Sequence, residues 1–166
     1  IQKEINKENF GSHFNIKPIL GDAKNKKLIS NILKNYKIDL IFHAAAYKHV
    51  PIVENNPIAG LLNNIFSTRV ICNEANNYGV SKVILISTDK AVRPTNVMGA
   101  SKRIAELIIQ CNAKTSKKTI FSMVRFGNVL GSSGSVVPLF KKQISEGGPI
   151  TLTDPKIIRY FMSIPE

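Results

Sequence analysis

At 166 residues, 43% of them hydrophobic and with ordinary numbers of glycine and proline, the chain is one domain's worth with enough apolar residue to bury a core, which sets aside disordered and fibrous classes. Its formal charge is +12, but the lysines are scattered, and no zinc spacing, aromatic-rich strand motif or helix-turn-helix signature accompanies them, so a nucleic-acid-binding role is set aside. No apolar run is long enough to span a bilayer and Ile1–Phe10 carries no secretory signal, so the chain reads as soluble and intracellular.

Residues 1–13 carry no clear signal. Asn15–Leu20 is a short strand candidate closed by Gly21-Asp22. Asp22 is placed to cap a helix whose Leu28, Ile29, Ile32 and Leu33 recur at helical spacing. Asp39–His43 is the next strand. Ala44, Ala45 and Ala46 after it suit either the close approach of a flat ligand or tight strand-to-loop packing. A loop with Lys48 and His49 leads to Pro57, which suits the first turn of a helix running to Tyr78 and closed by Gly79, with Leu61, Leu62, Ile65 and Cys72 inward.

Lys82–Ile86 reads as a strand buried on both faces, and Ser87, Thr88, Asp89 and Lys90 stand at its carboxyl end. After a turn at Pro94 and Asn96 the pattern becomes helical, with Ile104, Leu107, Ile108 and Cys111 on one stripe and Met98 one turn before Lys102. Cys72 and Cys111 lack metal-like spacing and read as small buried residues; no metal site is expected. Thr119–Phe126 is another strand. Gly127–Ser135 is a glycine-rich loop entering a helix whose Val136, Val137, Leu139, Phe140 and Ile144 face inward as far as Gly147-Gly148. Backbone N–H groups of such a loop suit a phosphate, but the P-loop lysine is missing and the preceding strand is a late one, so a triphosphate site is rejected. Ile150–Thr153 is a last short strand, followed by Arg159-Tyr160-Phe161-Met162.

This alternation predicts an α/β fold, a doubly wound parallel sheet with helices on both faces. Ligands of such sheets sit outside the strands' carboxyl ends, where Thr88, Asp89 and Lys90 fall. An adjacent carboxyl and amine are what proton transfer needs, and a position directly after a buried strand favours that over a surface ion pair. No G-x-G pattern occurs, and the first βα unit that would carry it is absent. That unit's strand is central in a doubly wound sheet, so Asn15–Leu20 is expected to lack a neighbour and Asp39–His43 to expose an apolar edge.

Ser87-Thr88-Asp89-Lys90, with Asn96-Val97-Met98-Gly99-Ala100-Ser101-Lys102 after it, resembles the nucleotide-sugar 4,6-dehydratases of the extended short-chain dehydrogenase class. The likeness is greatest to the membrane-anchored, CapD-like polysaccharide biosynthesis branch, which makes precursors for capsule, O-antigen or protein glycans. It runs from about Asp22 to Pro165. It implies that residues 1–166 are part of an NAD(P)-binding Rossmann domain with part of a nucleotide-sugar site, lacking the first βα unit and the C-terminal substrate part. The chain is therefore expected to be a fragment that binds the dinucleotide poorly alone. The resemblance also implies NAD rather than NADP, a UDP-hexose substrate such as UDP-N-acetylglucosamine, a homo-oligomer, and a cytoplasmic site on a parent anchored in the inner membrane.

The resemblance places Asp22 near the adenine, Ala44–Ala46 along the dinucleotide, and Asn63, Asn64 and Ser87 near the cofactor. It puts Lys102 on the nicotinamide ribose, Lys48 and His49 at the substrate mouth, and Asn128 and Ser135 in the region of the nucleoside diphosphate. Arg159 falls near the substrate, where a guanidinium pairs bidentately with diphosphate. In the implied reaction C4 is transiently oxidised, Lys90 removes the C5 proton and Asp89 protonates the departing C6 hydroxyl, each with its pKa moved toward neutrality. Met98 departs from the tyrosine of most short-chain dehydrogenases and exchanges no proton. Either the site is silent, or Thr88, with Asp89 and Lys90, handles the C4 hydroxyl proton; the resembling branch carries methionine here and is active. The rival readings are a UDP-sugar 4-epimerase, which needs no acid–base pair at C5 and C6, and a non-catalytic nucleotide-sugar-binding module.

Overall fold

The computed structural model describes residues 16–132, 136–152 and 154–165. In chain order its elements are α1 (Lys26–Asn35), β1 (Leu40–His43), α2 (Val50–Asn55), α3 (Pro57–Tyr78), β2 (Lys82–Thr88), a 3-10 turn (Asp89–Ala91), α4 (Val97–Thr115), β3 (Ile120–Phe126), β4 (Asn128–Val129), α5 (Val136–Ser145) and β5 (Phe161–Met162). β1, β2 and β3 form a parallel sheet in that order, and β4 and β5 form a separate parallel pair. Parallel neighbours need crossover connections, which α2–α3 and α4 provide. α3 ends where Gly79 turns to φ +70°, and the Val80 N–H returns to the Ala75 carbonyl at 3.0 Å.

The core lies on one face of the sheet. Val83 and Leu85 of β2 and Phe121 of β3 meet Ile71, Cys72 and Ala75 of α3 and Ala105 and Ile109 of α4, with Ile29 and Leu33 of α1 at the margin. Register explains the layer, since Ile41, Val83 and Phe121 are aligned across the three strands. The other face carries Leu40, Phe42, Ile84, Ile86, Ile120 and Val124, and Phe42 there is 63% exposed. β2 therefore alternates between buried and half-buried positions instead of being buried on both faces. Of the two helical layers of a doubly wound sheet, the described residues supply one.

Several local expectations are corrected. Residues 16–20 form no ladder and Leu20 is fully exposed, because no strand lies beside β1's outer edge among the described residues. Asp22 does not cap α1. Asn25 does, its side chain accepting the Leu28 N–H at 3.1 Å, while Asp22 accepts the Lys24 N–H at 2.8 Å in the preceding turn. The strand expected at Ile150–Thr153 is absent over 150–152, where Gln143 bonds the Thr151 backbone and hydroxyl instead; Thr153 and Asn15 lie outside the described residues. No residue of α5 is buried, and Leu139 and Ile144 point outward.

The helix faces differ most. On α4 the buried positions are Met98, Gly99, Ser101, Lys102, Ala105, Glu106 and Ile109, whereas Ile104, Leu107 and Cys111 of the expected stripe are exposed. On α3 Asn64, Ser67, Thr68 and Glu74 are buried while Leu62 is exposed and Leu61 and Ile65 are half-buried. Both inner faces are polar near the sheet's carboxyl end, so counting apolar residues selects the wrong side. Cys72 is fully buried, its thiol pushed up to about 12 by burial, as expected of an inert small hydrophobe.

Candidate active site

The end of β2 organises the site. Thr88 Oγ1 donates to Asp89 Oδ1 at 2.8 Å and accepts the Lys90 N–H at 3.4 Å, which opens the 3-10 turn. Lys90 Nζ donates to Asp89 Oδ1 and to Asn128 Oδ1, both at 3.1 Å. Asn128 is held there by β4: its N–H bonds the Tyr160 carbonyl at 2.9 Å, and Gly127 admits this approach because a Cβ would stand 2.5 Å from that oxygen. Thr88, Asp89, Lys90 and Asn128 are thus one hydrogen-bonded cluster. Arg159, exposed, adjoins the Tyr160 that anchors it.

Lys102 and Met98 reach the same region from α4, and both are buried. Lys102 Nζ donates to the Ile86 carbonyl at 2.7 Å, two residues before Thr88. Burial pushes its ammonium below the ordinary value while the Glu106 charge pulls it back up. Asn64 holds the loop after β1. Its Oδ1 accepts the Tyr47 N–H at 2.7 Å and Asn63 Nδ2 at 3.2 Å, and its Nδ2 donates to the Tyr47 carbonyl at 3.1 Å and Ser101 Oγ at 2.9 Å. An amide has two donors and two acceptor sites, so every one is occupied. Asn64 therefore shapes the Ala44–Tyr47 loop instead of offering a free side chain. Ala44 and Ala45 are exposed and Ala46 half-buried at the end of β1. Asp22, Lys48 and His49 are exposed, and the His49 ring does not cap α2. Ser135 lies outside the described residues.

The expectation that Asp89 moves toward neutrality is reversed. Burial pushes its carboxyl up, but the Thr88 and Lys90 hydrogen bonds and the Lys90 charge outweigh that and hold it below the ordinary carboxylate value. Asp89 rests as the carboxylate.

Three buried ionisable groups escaped sequence reasoning: Glu106, His43 and Glu74, the last of which accepts from Ser30 Oγ. Glu106 is sealed from solvent; its Oε1 accepts from Ser87 Oγ at 2.6 Å and Arg125 Nε at 2.7 Å, its Oε2 from Arg125 Nη2 at 2.6 Å and Arg103 Nη1 at 2.9 Å. Burial pushes its carboxyl up, and the Arg125, Ser87 and Arg103 bonds bring it down to about 2. Its signal was an acid one turn after Lys102, on the face that apolar counting rejected. His43 is also buried. Thr68 Oγ1 donates to the Asn64 carbonyl at 2.9 Å and so accepts from His43 Nε2 at 3.0 Å, which assigns the proton to Nε2.

Burial, helped by the Lys102 charge, lowers His43 to about 4. The unfolded chain takes up this proton near pH 6.5 and the folded one only near pH 4, so stability falls as pH drops through that window, by roughly 3 kcal/mol. His43→Gln keeps an Nε2 donor and removes the titration. Urea unfolding at pH 7 and pH 4.5 is expected to show a smaller acid loss in the variant. An identical loss would place the titration elsewhere.

The sequence profile of a family described as polysaccharide biosynthesis protein matches residues 1–166. The chain is 50% identical over 166 residues to the capsular polysaccharide biosynthesis protein CapD of Staphylococcus aureus, covering all of this chain and 28% of that protein. It is 40% identical over 151 residues to the UDP-glucose 4-epimerase of Rickettsia rickettsii (strain Sheila Smith), covering 90% of this chain and 44% of that one. Among solved structures it resembles Pen from Bacillus thuringiensis, with TM-score 0.87 and 40% identity over 99% of this chain and 51% of Pen. The chain thus spans between about a quarter and a half of the length of these proteins. Among the described residues, no helix is long and apolar enough to cross a membrane.

Proposed function

Because the chain belongs to the polysaccharide biosynthesis protein family, we propose that the intact protein dehydrates a UDP-linked hexose to its 4-keto-6-deoxy form, with Thr88, Asp89 and Lys90 moving the protons. One observation carries this reading: a hydroxyl, a carboxylate and an amine form one bonded cluster at the end of β2, joined by an amide from β4. A 4,6-elimination needs an acid and a base beyond C4; inversion at C4 does not.

The residues beside the cluster suit a nicotinamide dinucleotide, NAD in this reading. Ala44–Ala46 present little side chain, so a flat group can lie against their backbone. The Lys102 ammonium has three protons, of which one is donated to the Ile86 carbonyl, leaving two for ribose hydroxyls. When bound, the dinucleotide supplies a two-electron acceptor that is regenerated within the cycle.

The chain's own groups then act in sequence. Asp89, resting as the carboxylate, takes the C4 hydroxyl proton directly or through Thr88. That makes it the protonated acid the C6 hydroxyl needs to leave as water. Lys90, whose side chain is 29% exposed, passes one proton to solvent. Lys90 takes the C5 proton, acidified by the C4 ketone, and later returns a proton to C5. Asp89 ends as it began, Lys90 regains from solvent the proton it first released, and water is the only loss. Asn128 orients Lys90. Arg159, Lys48, His49 and Ser135 are assigned to the sugar nucleotide, and Asp22 to the adenine.

Full-length protein incubated with UDP-N-acetylglucosamine in deuterated water is expected to give, by NMR, a 4-keto-6-deoxy sugar carrying deuterium at C5. Sugar returned unchanged rejects the proposal. Sugar epimerised at C4 supports the second reading, a 4-epimerase, which the Rickettsia relative's description favours.

A second copy of the chain is the partner in this reading. Ile58, Leu62 and Phe66 follow at four-residue spacing on α3 and are 71%, 46% and 42% exposed, and Ile104 and Leu107 are exposed on α4, which packs beside it. Large apolar groups at helical spacing on packed helices suit a helical interface. Sedimentation is expected to give a dimer or larger, shifted toward monomer by Leu62→Glu with Leu107→Glu. A monomeric wild-type protein would end this part.

A further inference from the structure

We propose that Glu106 is a positioning residue, whose carboxylate fixes Ser87 at the reacting end of β2 and supplies the buried counter-charge of Lys102. The inference rests on the reading of Thr88–Lys90 and Lys102 as the working groups. Ser87 and Arg125 are partners in the β2–β3 ladder, so both side chains leave the same face of the sheet, and both meet Glu106 of α4. Backbone hydrogen bonds already hold the strands together. Glu106 adds the anchoring of α4 to that strand end, with Arg103 closing the fourth bond.

Two lines run from this anchor into the cluster. Ser87 directly precedes Thr88, whose hydroxyl is on Asp89, so the Ser87 contact sets the backbone that presents them. Lys102 is one turn away on the same buried face, where burial disfavours its charge and Glu106 favours it. A buried ion pair is weak as a source of net stability, because desolvating both charges offsets their attraction. Positioning gives the pair a role that stability alone does not.

The test uses the full-length protein. Glu106→Gln keeps the shape and still accepts from Ser87 but lacks the charge; Glu106→Asp keeps the charge one carbon short. Glu106→Gln is expected to lower NAD affinity, read by calorimetry, about tenfold, and kcat by about 10- to 100-fold with KM for the UDP-sugar little changed. Glu106→Asp is expected to recover part of both. Ser87→Ala is expected to cost less in the Glu106→Gln background than alone, because the glutamine leaves only a weaker, uncharged form of the same contact. NAD affinity and kcat that stay at wild-type level, or that fall only with the folded fraction, would overturn the proposal. If Glu106→Gln does not fold, a Glu106→Asp protein that folds and retains full kcat does the same. If the wild-type protein makes no 4-keto product, the dehydratase reading fails, and the NAD affinities alone decide for or against Glu106.

Discussion

Asp89→Asn and Lys90→Ala in the full-length protein are each expected to remove the 4-keto-6-deoxy product while leaving the protein folded. General acid or base catalysis by one positioned group contributes about 10²- to 10⁴-fold, so either variant is expected to lose at least about a hundredfold in kcat. The cost in stability is small by comparison. The pair is partly solvated, with side-chain exposures of 29% and 37%, and such pairs contribute at most about 1 kcal/mol. A large kinetic loss with a nearly unchanged melting midpoint is therefore the signature of the proposed roles.

The two variants are also expected to differ from each other. Asparagine still accepts from Thr88 and Lys90, so Asp89→Asn preserves the cluster's shape and removes only the proton acceptor. Lys90→Ala removes the base for C5 and releases Asn128 from its bond. Deuterium exchange at C5 in substrate recovered from the reaction is expected to vanish in Lys90→Ala. Variants that keep the wild-type rate would remove Asp89 and Lys90 from the chemistry and return Met98 to being the mark of a silent site.

The sequence showed β1, β2, β3, α3, α4 and the residues of the Thr88–Lys90 cluster because each rests on local information, and it missed α2, β4 and β5. β-branched runs mark β2 and β3, Pro57 and Gly79 mark the ends of α3, and Asn96 caps α4, its side chain accepting the Gly99 N–H at 2.8 Å. It misled where burial is polar. Ser101, Lys102 and Glu106 occupy α4's inner face because they bond to Asn64, the Ile86 carbonyl and Arg125, partners on other elements that no periodicity reveals. The direction of Asp89's shift was lost for a related reason. Burial and ion pairing oppose each other, and only the geometry of Thr88 and Lys90 shows which wins. Asn64, which the resemblance set near the cofactor, has its amide filled by four bonds within the chain, which makes it part of the scaffold.

Gly99→Ala is expected to damage activity far more than stability. In an ordinary helix the change favours folding by about 1 kcal/mol, since glycine costs backbone entropy. Here a Cβ on Gly99 would overlap the backbone carbonyl of Lys90, which is not a flexible side-chain end that can swing aside. Overpacking of this kind costs about 1–3 kcal/mol, so a net destabilisation of up to about 2 kcal/mol is expected. The clash is relieved by moving the first turn of α4 away from the 3-10 turn. That displaces Asp89 and Lys90 relative to Lys102, and a shift of about 1 Å at reacting groups costs on the order of a hundredfold in rate. Gly79→Ala is the control. Gly79 has φ +70° and nothing within 4 Å of the added carbon, so the substitution is expected to cost about 1 kcal/mol of backbone strain with kcat unchanged. Equal kinetic losses in the two variants, or a Gly99→Ala protein with wild-type turnover, would mean that the close contact between α4 and the Asp89–Lys90 backbone does not set the geometry of the reaction.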